Sequence, residues 1–455
     1  MVPIATVNPA TGETEKTFAA HDDKEIETRL EAAAEAARSY RTTSFAERAR
    51  WTVTAAELLE GEIPDVARTM TIEMGKTFAA AKGEAAKCAK GLRYFAEHAE
   101  GFLADETVDS EAADSRVIWR PMGPVLAVMP WNFPLWQVMR FAAPALMAGN
   151  VGLLKHASNV PQTALFIEDL FRRAGFPPGV FQTVLVGSEA VAGIIADDRV
   201  RAVTLTGSEG AGRSVAETAG RALKKCVLEL GGSDPYVVLP SADLDTAVRV
   251  GVTARVQNNG QSCIAAKRFI VHRDCYDDFE AAFVSAMAGL NVGDPLDPAT
   301  EIGPLALAAG RDDVAALVDD ARHQGAAILC GGAAVDGPGY FYEPTVISRI
   351  TPAMRVNSEE VFGPVALLYR VDDAEEALAV ANDTGFGLGA SVWTTDDEEG
   401  RLFVEGLDVG MVFLNAMVAS TPELPFGGTK RSGYGRELAD LGIREFCEAK
   451  SVWSA

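Results

Sequence analysis

Helix-forming and strand-forming stretches follow one another along the chain. An Ala- and Glu-rich segment predicts a helix that is capped by Asp22 or Asp23 and runs to about Arg38, and further helices fill the span to about Phe102. From Val117 short apolar runs separated by turn residues predict strands instead. The pattern therefore changes there from helical to mixed.

Beyond Val117, predicted strands alternate with predicted helices. The first strands are expected at 117–120, 125–129, 151–155, 181–185 and 202–206. Helices are expected after Asn132-Phe133-Pro134, with the proline in the first turn, at 161–174 and after Gly207-Ser208. The alternation restarts with strands at 236–239 and 269–271 and helices at 243–256 and 275–289. This pattern predicts a parallel, doubly wound α/β domain and a second α/β unit.

Length and charge narrow the possible functions. At 455 residues the chain exceeds what one hydrophobic core usually serves, and we expect two or three substructures. Its 41 Lys and Arg residues against 64 Asp and Glu give a net charge of −23, which disfavours nucleic acid as a partner. An anionic small substrate would therefore need a local cation inside its pocket.

Cysteine and histidine usage favours a cytoplasmic protein without a metal site. The six cysteines are scattered and no secretory leader is recognisable, so we expect free thiols in a reducing cytoplasm. The five histidines form no metal-binding motif. The apolar stretch after Arg140 contains Pro144 and Asn150 and is too short and interrupted to cross a bilayer, so no membrane partner is expected.

One thiol and one carboxylate lie on two glycine-punctuated loops. Cys263 follows Gly260-Gln261-Ser262, and Glu229 precedes Leu230-Gly231-Gly232. Such a pair suits covalent catalysis followed by activation of water. The alternative is that Cys263 is a small buried hydrophobic residue, as most free cysteines are.

Several other motifs are ambiguous when each is taken alone. Gly207-Ser208 between a strand and a helix could hold a phosphate on backbone N–H groups, or could simply link the two elements. The run Trp131–Pro134 could orient an amide at a pocket or form a turn. Glu360 and Phe362 could contact a cofactor, or belong to a solvated acidic pair before a turn. The loop 425–433 is rich in glycine and by itself indicates flexibility.

Taken together and in this order, these motifs resemble the aldehyde dehydrogenase superfamily over almost the whole chain. The shared sequence comprises residues 130–134, Lys155, 206–208, 229–232, 260–263, 360–364 and 425–428. Within the superfamily the chain is most similar to the short, microbial-type succinate-semialdehyde dehydrogenases. The segments that carry this closer likeness are Asn132 with Arg140, 155–161 and 257–263.

The resemblance implies a fold and an assembly. It predicts a Rossmann-like dinucleotide-binding domain from 1–104 and 122–231, an α/β catalytic domain at 232–437, and a small β oligomerisation arm. The arm is expected at 105–121 and 438–455 and implies a homodimer or homotetramer. A frayed C-terminus is the alternative for the tail.

The resemblance also implies a mechanism. The Cys263 thiolate attacks the aldehyde, the Asn132 amide and the Cys263 N–H stabilise the oxyanion, and Glu229 activates water to hydrolyse the thioester. One oxyanion donor is worth roughly 3 kcal/mol. A carboxylate at position 229 favours a free acid as product. The family's cofactor contacts fall on Trp131, Lys155, Ser158, Gly207, Ser208, Leu230, Glu360 and Phe362.

Ser158 bears on the choice of cofactor. NAD-preferring relatives usually carry a glutamate three residues after the lysine that matches Lys155. A serine removes a charge that would repel a 2′-phosphate, and Lys155 can then pair with it. We therefore expect NADP⁺ to be preferred and leave NAD⁺ open. The alternative role for Ser158 is to cap the helix that enters at Pro161.

Arg140, Gln257 and Ser420 are the expected substrate-binding residues. If one helix carries Asn132 and Arg140, about 80° separates them around its axis, which permits both to line one pocket. A bidentate arginine suits a carboxylate, so succinic semialdehyde is the expected substrate; a surface or interdomain ion pair is the alternative. Gln257 replaces a second arginine of mammalian-type relatives, and Ala265 replaces a second cysteine.

Three other functions remain open at this point. One is a dehydrogenase of another small or carboxylated aldehyde, such as one resembling glutaric semialdehyde, with NAD⁺. Another is a thioester hydrolase or acyltransferase that uses Cys263 and Glu229 without redox chemistry. The third is a non-catalytic binding protein on the same fold. The joint presence of Cys263, Glu229 and Asn132 argues against the third.

Overall fold

Short apolar runs form the strands and longer amphipathic segments form the helices of this protein, whose computed structural model describes residues 3–455. The strands are β1 Ile4–Val7, β2 Thr14–Phe18, β3 Glu106–Thr107, β4 Asp114–Pro121, β5 Pro124–Met129, β6 Val151–His156, β7 Phe181–Thr183, β8 Ala202–Thr206, β9 Lys225–Glu229, β10 Asp234–Val238, β11 Ala266–His272, β12 Ala327–Cys330, β13 Thr345–Ser348, β14 Val365–Val371, β15 Phe386–Gly387, β16 Gly389–Trp393, β17 Met411–Leu414, β18 Thr429–Lys430, β19 Gly433–Tyr434 and β20 Cys447–Ser454. The helices are α1 Asp23–Tyr40, α2 Phe45–Gly61, α3 Ile63–Met74, α4 Phe78–Phe102, α5 Trp136–Ala148, α6 Pro161–Arg173, α7 Val191–Ala196, α8 Glu209–Arg221, α9 Leu244–Val256, α10 Arg273–Ala288, α11 Ala308–His323, α12 Arg355–Ser358, α13 Ala374–Asn382, α14 Asp397–Gly406 and α15 Ala439–Arg444.

A six-stranded sheet in the order β19-β9-β8-β5-β6-β7 forms the Rossmann-like part of the molecule. The pairs from β9 to β7 are parallel, and only β19 joins antiparallel. From β5 the chain continues to β6 and β7 on one side, and then returns to form β8 and β9 on the other side. The direction in which strands are added therefore reverses beside β5. Ligands of such sheets bind at the carboxyl ends of the strands beside this switch point.

A second sheet has the order β12-β13-β14-β11-β10-β16-β17. Its pairs are parallel except β12 with β13. Strands β10 and β16 are buried along their whole length, because apolar clusters cover both faces of the sheet. The mixed α/β architecture expected from the sequence is thus present.

A separate three-stranded antiparallel sheet has the order β20-β4-β3 and joins residues 106–121 to the end of the chain. Strand β20 pairs with β4 over eight residues and lies at the sheet edge. Within residues 3–455, no helix combines the length and apolar character that crossing a bilayer requires. The domain bounds inferred from the family resemblance stay a prediction.

Most local predictions are confirmed, but the predicted start of the helix after Asn132 is wrong. Helix α1 begins after Asp22, which forms a capping box with Glu25. The expected helix after Asn132 begins only at Trp136, so Pro134 lies in a turn before it and Asn132 is not helical. The angular argument that placed Asn132 and Arg140 on one helix therefore does not hold.

Candidate active site

The carboxyl ends of β5, β8 and β9 open onto a cavity of about 290 Å³. It is lined by the loops that follow these strands and by two later segments: Pro130, Trp131, Asn132, Thr206, Gly207, Ser208, Leu230, Gly231, Cys263, Glu360 and Phe362. The rings of Trp131 and Phe362 meet edge to face with centroids 5.8 Å apart. The cavity therefore combines aromatic walls, backbone at glycines and one carboxylate.

Most predicted catalytic and cofactor residues line this cavity, although they come from distant parts of the sequence. Glu229, Lys155 and Ser158 do not line it. Gly207 and Ser208 lie where β8 gives way to α8, and the Ser208 hydroxyl accepts the N–H of Ala211 as the helix cap. A helix start of this kind presents backbone N–H groups to an anion.

A tight loop presents Cys263 to the cavity. Asn258, Asn259 and Gly260 have φ values of 56°, 57° and 77°, a region that asparagine and glycine adopt more readily than other residues. Buried Lys267 then donates from Nζ to the carbonyl oxygens of Ser262 (2.8 Å) and Cys263 (2.7 Å). These contacts fix the backbone on both sides of the thiol, at the junction between a loop and β11.

The Asn132 loop is fastened to the Cys263 loop by side-chain amides. Asn132 Nδ2 donates to the carbonyl of Gln261 at 3.2 Å, and Asn258 Nδ2 donates to the carbonyl of Asn132 at 2.7 Å. An asparagine amide carries two N–H groups. Asn132 therefore lies beside the thiol with a second N–H to offer an oxygen in the cavity.

The buried surroundings of the Cys263 thiol favour its neutral form. The residue is 9% exposed, and burial raises the thiol pKa to about 12, although the positive charges of Arg140 and Lys267 oppose the rise. Nucleophilic attack requires the thiolate. To act as the predicted nucleophile, Cys263 must therefore first lose its proton.

Glu229 ends β9 and is 2% exposed. Burial, and then the nearby Glu437 carboxyl, raise its pKa well above the usual value. Within residues 3–455 neither carboxyl oxygen has a hydrogen-bond partner. A Cβ at Gly427 would lie 2.8 Å from Glu229 Oε1, and one at Gly232 would lie 2.6 Å from the carbonyl of Cys263. The Glu229 loop thus packs on the Cys263 loop, with the carboxyl directed toward Gly427.

Lys155 and Ser158 lie at and just beyond the end of β6, apart from the cavity lining. The alternative role of Ser158 as a helix cap is wrong, since Val160 is the N-cap of α6 and makes no side-chain cap. Buried Glu73 instead accepts the N–H groups of Gln162 and Thr163 at 2.8 and 3.0 Å. The Ser158 hydroxyl is thus not used as the cap.

A smaller cavity of about 100 Å³ adjoins the first and brings the three predicted substrate residues together. Arg140, Gln257 and Ser420 line it, and Cys263 lines both cavities. One thiol thus lies where the two cavities meet.

Arg140 also forms a buried ion pair, as the alternative interpretation anticipated. Its Nε pairs with Glu437, and both side chains are 2% exposed. The guanidinium carbon lies 4.2 Å from the centroid of the Phe426 ring. Arg140 therefore faces the small cavity while its charge is shared with a carboxylate.

Sequence reasoning missed Glu437 and Lys87. Glu437 carries the partner charge of Arg140, and Lys87 lines the small cavity. Nothing in the local pattern separates Lys87 from Lys82 and Lys90 on the same helix. The only available signal was the expectation of a cation near an anionic substrate.

Comparison with known proteins agrees with this geometry. The sequence model of the aldehyde dehydrogenase family matches residues 2–452. A succinate-semialdehyde dehydrogenase (NADP(+)) of Mycobacterium avium is 60% identical over 456 residues, covering 99% of this chain and 97% of that protein. A counterpart in Mycobacterium tuberculosis is 60% identical and covers 100% of both chains.

Solved structures give the same result. The crystal structure of succinic semialdehyde dehydrogenase from Streptococcus pyogenes, in complex with NADP⁺, has a TM-score of 0.97 and 38% identity. The match covers 99% of both chains. By sequence and by structure, this chain belongs to the aldehyde dehydrogenase family.

Proposed function

We propose that this protein oxidises succinic semialdehyde to succinate with NADP⁺ as the preferred cofactor. The observation that carries the proposal is the position of Cys263, which lines both a cavity suited to a dinucleotide and a smaller one with an arginine. The names of the relatives that are 60% identical support the same substrate and cofactor.

The chemistry begins at Cys263. The thiol proton passes to water, the sulfur bonds to the aldehyde carbon, and the electron pair of the C=O π bond moves to the carbonyl oxygen, which becomes an oxyanion. The free N–H of the Asn132 amide and the Cys263 backbone N–H stabilise this charge. Loss of the Asn132 donor would cost roughly 3 kcal/mol in the transition state.

The larger cavity suits the nicotinamide end of the cofactor. Trp131, Leu230 and Phe362 supply apolar walls for a flat ring, and Glu360 supplies a hydrogen-bond acceptor. When bound, the oxidised nicotinamide supplies the acceptor for the hydride that the thiohemiacetal loses. Lys155 and Ser158 would hold the adenosine ribose end, where a lysine and a hydroxyl without a carboxylate accommodate a 2′-phosphate.

Glu229 is the proposed base for the last step. Its carboxylate takes a proton from water, the hydroxide bonds to the thioester carbon, and the C–S bond breaks to release the acid. The leaving thiolate then recovers the proton from Glu229, which regenerates the Cys263 thiol and the carboxylate. The side chain must turn from Gly427 toward Cys263 for this. The absence of hydrogen bonds to its oxygens within the described residues favours such a turn.

Steady-state kinetics at the reduced-nicotinamide absorbance band test the proposal. Succinic semialdehyde, its methyl ester and butanal would each be assayed with NADP⁺ and NAD⁺. We expect the highest kcat/KM for succinic semialdehyde with NADP⁺, and a higher value with NAD⁺ would refute the cofactor assignment. Cys263→Ser should abolish oxidation, whereas Cys275→Ser, outside the site, is the matched control. Undiminished oxidation by Cys263→Ser would overturn the mechanism.

We further propose a homodimer or homotetramer in the cytoplasm. Strand β20 is an edge strand with mostly exposed residues, and Trp453 on it is 65% exposed. Apolar surface on a free strand edge usually has a partner. The six cysteines are free thiols, as in a reducing compartment.

A further inference from the structure

Lys87 lies on α4 and lines the small cavity together with Arg140, Trp136 and Ser420. Its Nζ lies 4.3 Å from the centroid of the Trp136 ring. The same indole donates from Nε1 to the Ser420 hydroxyl at 3.1 Å. One aromatic side chain therefore contacts both a cation and a hydroxyl of the cavity wall.

The charges around this cavity leave Lys87 without a counter-ion. Arg140 is paired with Glu437. Glu84, one turn before Lys87 on α4, is taken by Lys76 and by the N–H groups of Leu135 and Trp136. Across residues 3–455, Lys87 Nζ forms no ion pair. It is thus the uncompensated positive charge at a cavity that adjoins the nucleophile.

We propose that Lys87 binds the substrate's carboxylate together with Ser420 and Arg140, and that it determines specificity for aldehydes with an anionic end. The inference deepens the proposed function and rests on it. A protein with a net charge of −23 repels anions at long range, so this local cation matters for their capture. Arg140 alone attracts a substrate carboxylate less strongly, because its positive charge is already paired with Glu437 through Nε.

The strength of the proposed hydrogen bond between Lys87 and the substrate carboxylate sets the expected change in affinity. A hydrogen bond between charged partners contributes about 1.5–3 kcal/mol, which corresponds to about tenfold to a hundredfold in affinity. The contact involves the far end of the substrate and not the reacting carbon. Its loss should therefore raise KM more than it lowers kcat.

Lys87 differs from an arginine in that its side chain can lose its positive charge at moderately alkaline pH. Burial lowers its pKa to about 8, with Arg140 and Lys76 acting in the same direction and Cys88 and Glu84 opposing them. A lysine is charged below its pKa, so anion binding should weaken as the pH rises through about 8. Uncharged aldehydes should not show this loss.

The test uses Lys87→Met, Lys87→Arg and the control Lys82→Met, an exposed lysine on the same helix that packs on the Phe78 ring. We expect Lys87→Met to raise KM for succinic semialdehyde about tenfold to a hundredfold and to leave KM for its methyl ester within about twofold. Lys87→Arg should restore most of the difference, and Lys82→Met should match the wild type. Calorimetric binding of succinate to each protein gives the same comparison without turnover.

The pH dependence provides a second measurement. The ratio of KM for the acid to KM for the ester should rise above about pH 8 in the wild type and stay flat in Lys87→Arg, because a guanidinium keeps its charge. A rise of the same size in Lys87→Arg would overturn the assignment, as would equal losses for acid and ester in Lys87→Met. If the wild type oxidises neither aldehyde, the proposed function fails instead. If Lys87→Met does not fold, Lys87→Arg and the pH profile decide.

Discussion

Burial of individual side chains in the candidate active site shifts the pKa values of its thiol and its buried carboxyl in the same direction. Cys263 and Glu229 both have pKa values raised mainly by desolvation. A raised thiol pKa lowers the thiolate fraction of Cys263, and the thiolate is the form that reacts with electrophiles. The Cys263 thiol should therefore react slowly with alkylating agents near neutral pH.

This protection can be measured by alkylation. Since the Cys263 pKa is raised to about 12, the thiolate fraction should grow about tenfold per pH unit at all lower pH. Iodoacetamide should therefore modify Cys263 slowly at pH 7 and much faster at pH 9, as followed by mass spectrometry of its peptide. Cys263→Ala reports the labelling of the other cysteines. A rate that levels off below pH 8 would show that the thiol is already ionised.

The Arg140–Glu437 pair predicts a stability effect that is separate from substrate binding. Removing one partner of a buried ion pair leaves an uncompensated charge and typically costs about 3–5 kcal/mol. Arg140→Met should therefore lower the urea midpoint strongly, and Arg140→Met with Glu437→Gln should recover part of the loss. Equal midpoints for the wild type and Arg140→Met would contradict a structural role of the pair.

In folded protein, Arg140→Ala should still raise KM more for succinic semialdehyde than for butanal.

The helices show what local sequence can and cannot predict. Helix α1 starts where its own Asp22 and Glu25 form a capping box, and the sequence places it correctly. Helix α5 starts later than expected, because Glu84 of α4 accepts the N–H groups of Leu135 and Trp136. A cap supplied by another helix leaves no signal at the helix it caps. In the same way, Glu73 of α3 accepts the first N–H groups of α6, which explains why Ser158 is not its cap.

The Glu84 cap should position the site as a whole. Asn132 lies just before the capped turn and Arg140 lies within α5, so both depend on where this helix starts. Glu84→Ala removes the cap and leaves Lys76 buried without a partner, whereas Glu84→Gln keeps an acceptor. We expect Glu84→Ala to lower kcat/KM about tenfold or more for charged and uncharged aldehydes alike. The loss should be smaller in Glu84→Gln. Wild-type kinetics in Glu84→Ala would contradict this role.

Across the whole molecule, the sequence predicts the two α/β units well because buried parallel strands are continuous apolar runs. Family motifs also locate Cys263, Asn132 and the loops at Ser208 and Leu230, which the structure brings to one cavity. The pairing of Arg140 with Glu437 could not be predicted, since the partners are far apart in sequence and each sits in an unremarkable local pattern. The same holds for Lys87, whose neighbours become known only once α4 packs on α5.

At the scale of the whole molecule, the exposed edge strand β20 bears on assembly. Trp453 is 65% exposed on the edge strand β20, and a large apolar side chain there favours contact with another copy. Trp453→Glu should place a charge in that contact and shift the protein to a smaller species in sedimentation velocity. Lys450→Gln, a polar change on the opposite face of the same strand, should not. An unchanged sedimentation coefficient for Trp453→Glu would exclude this edge as the interface, and a monomeric wild type would refute the assembly itself.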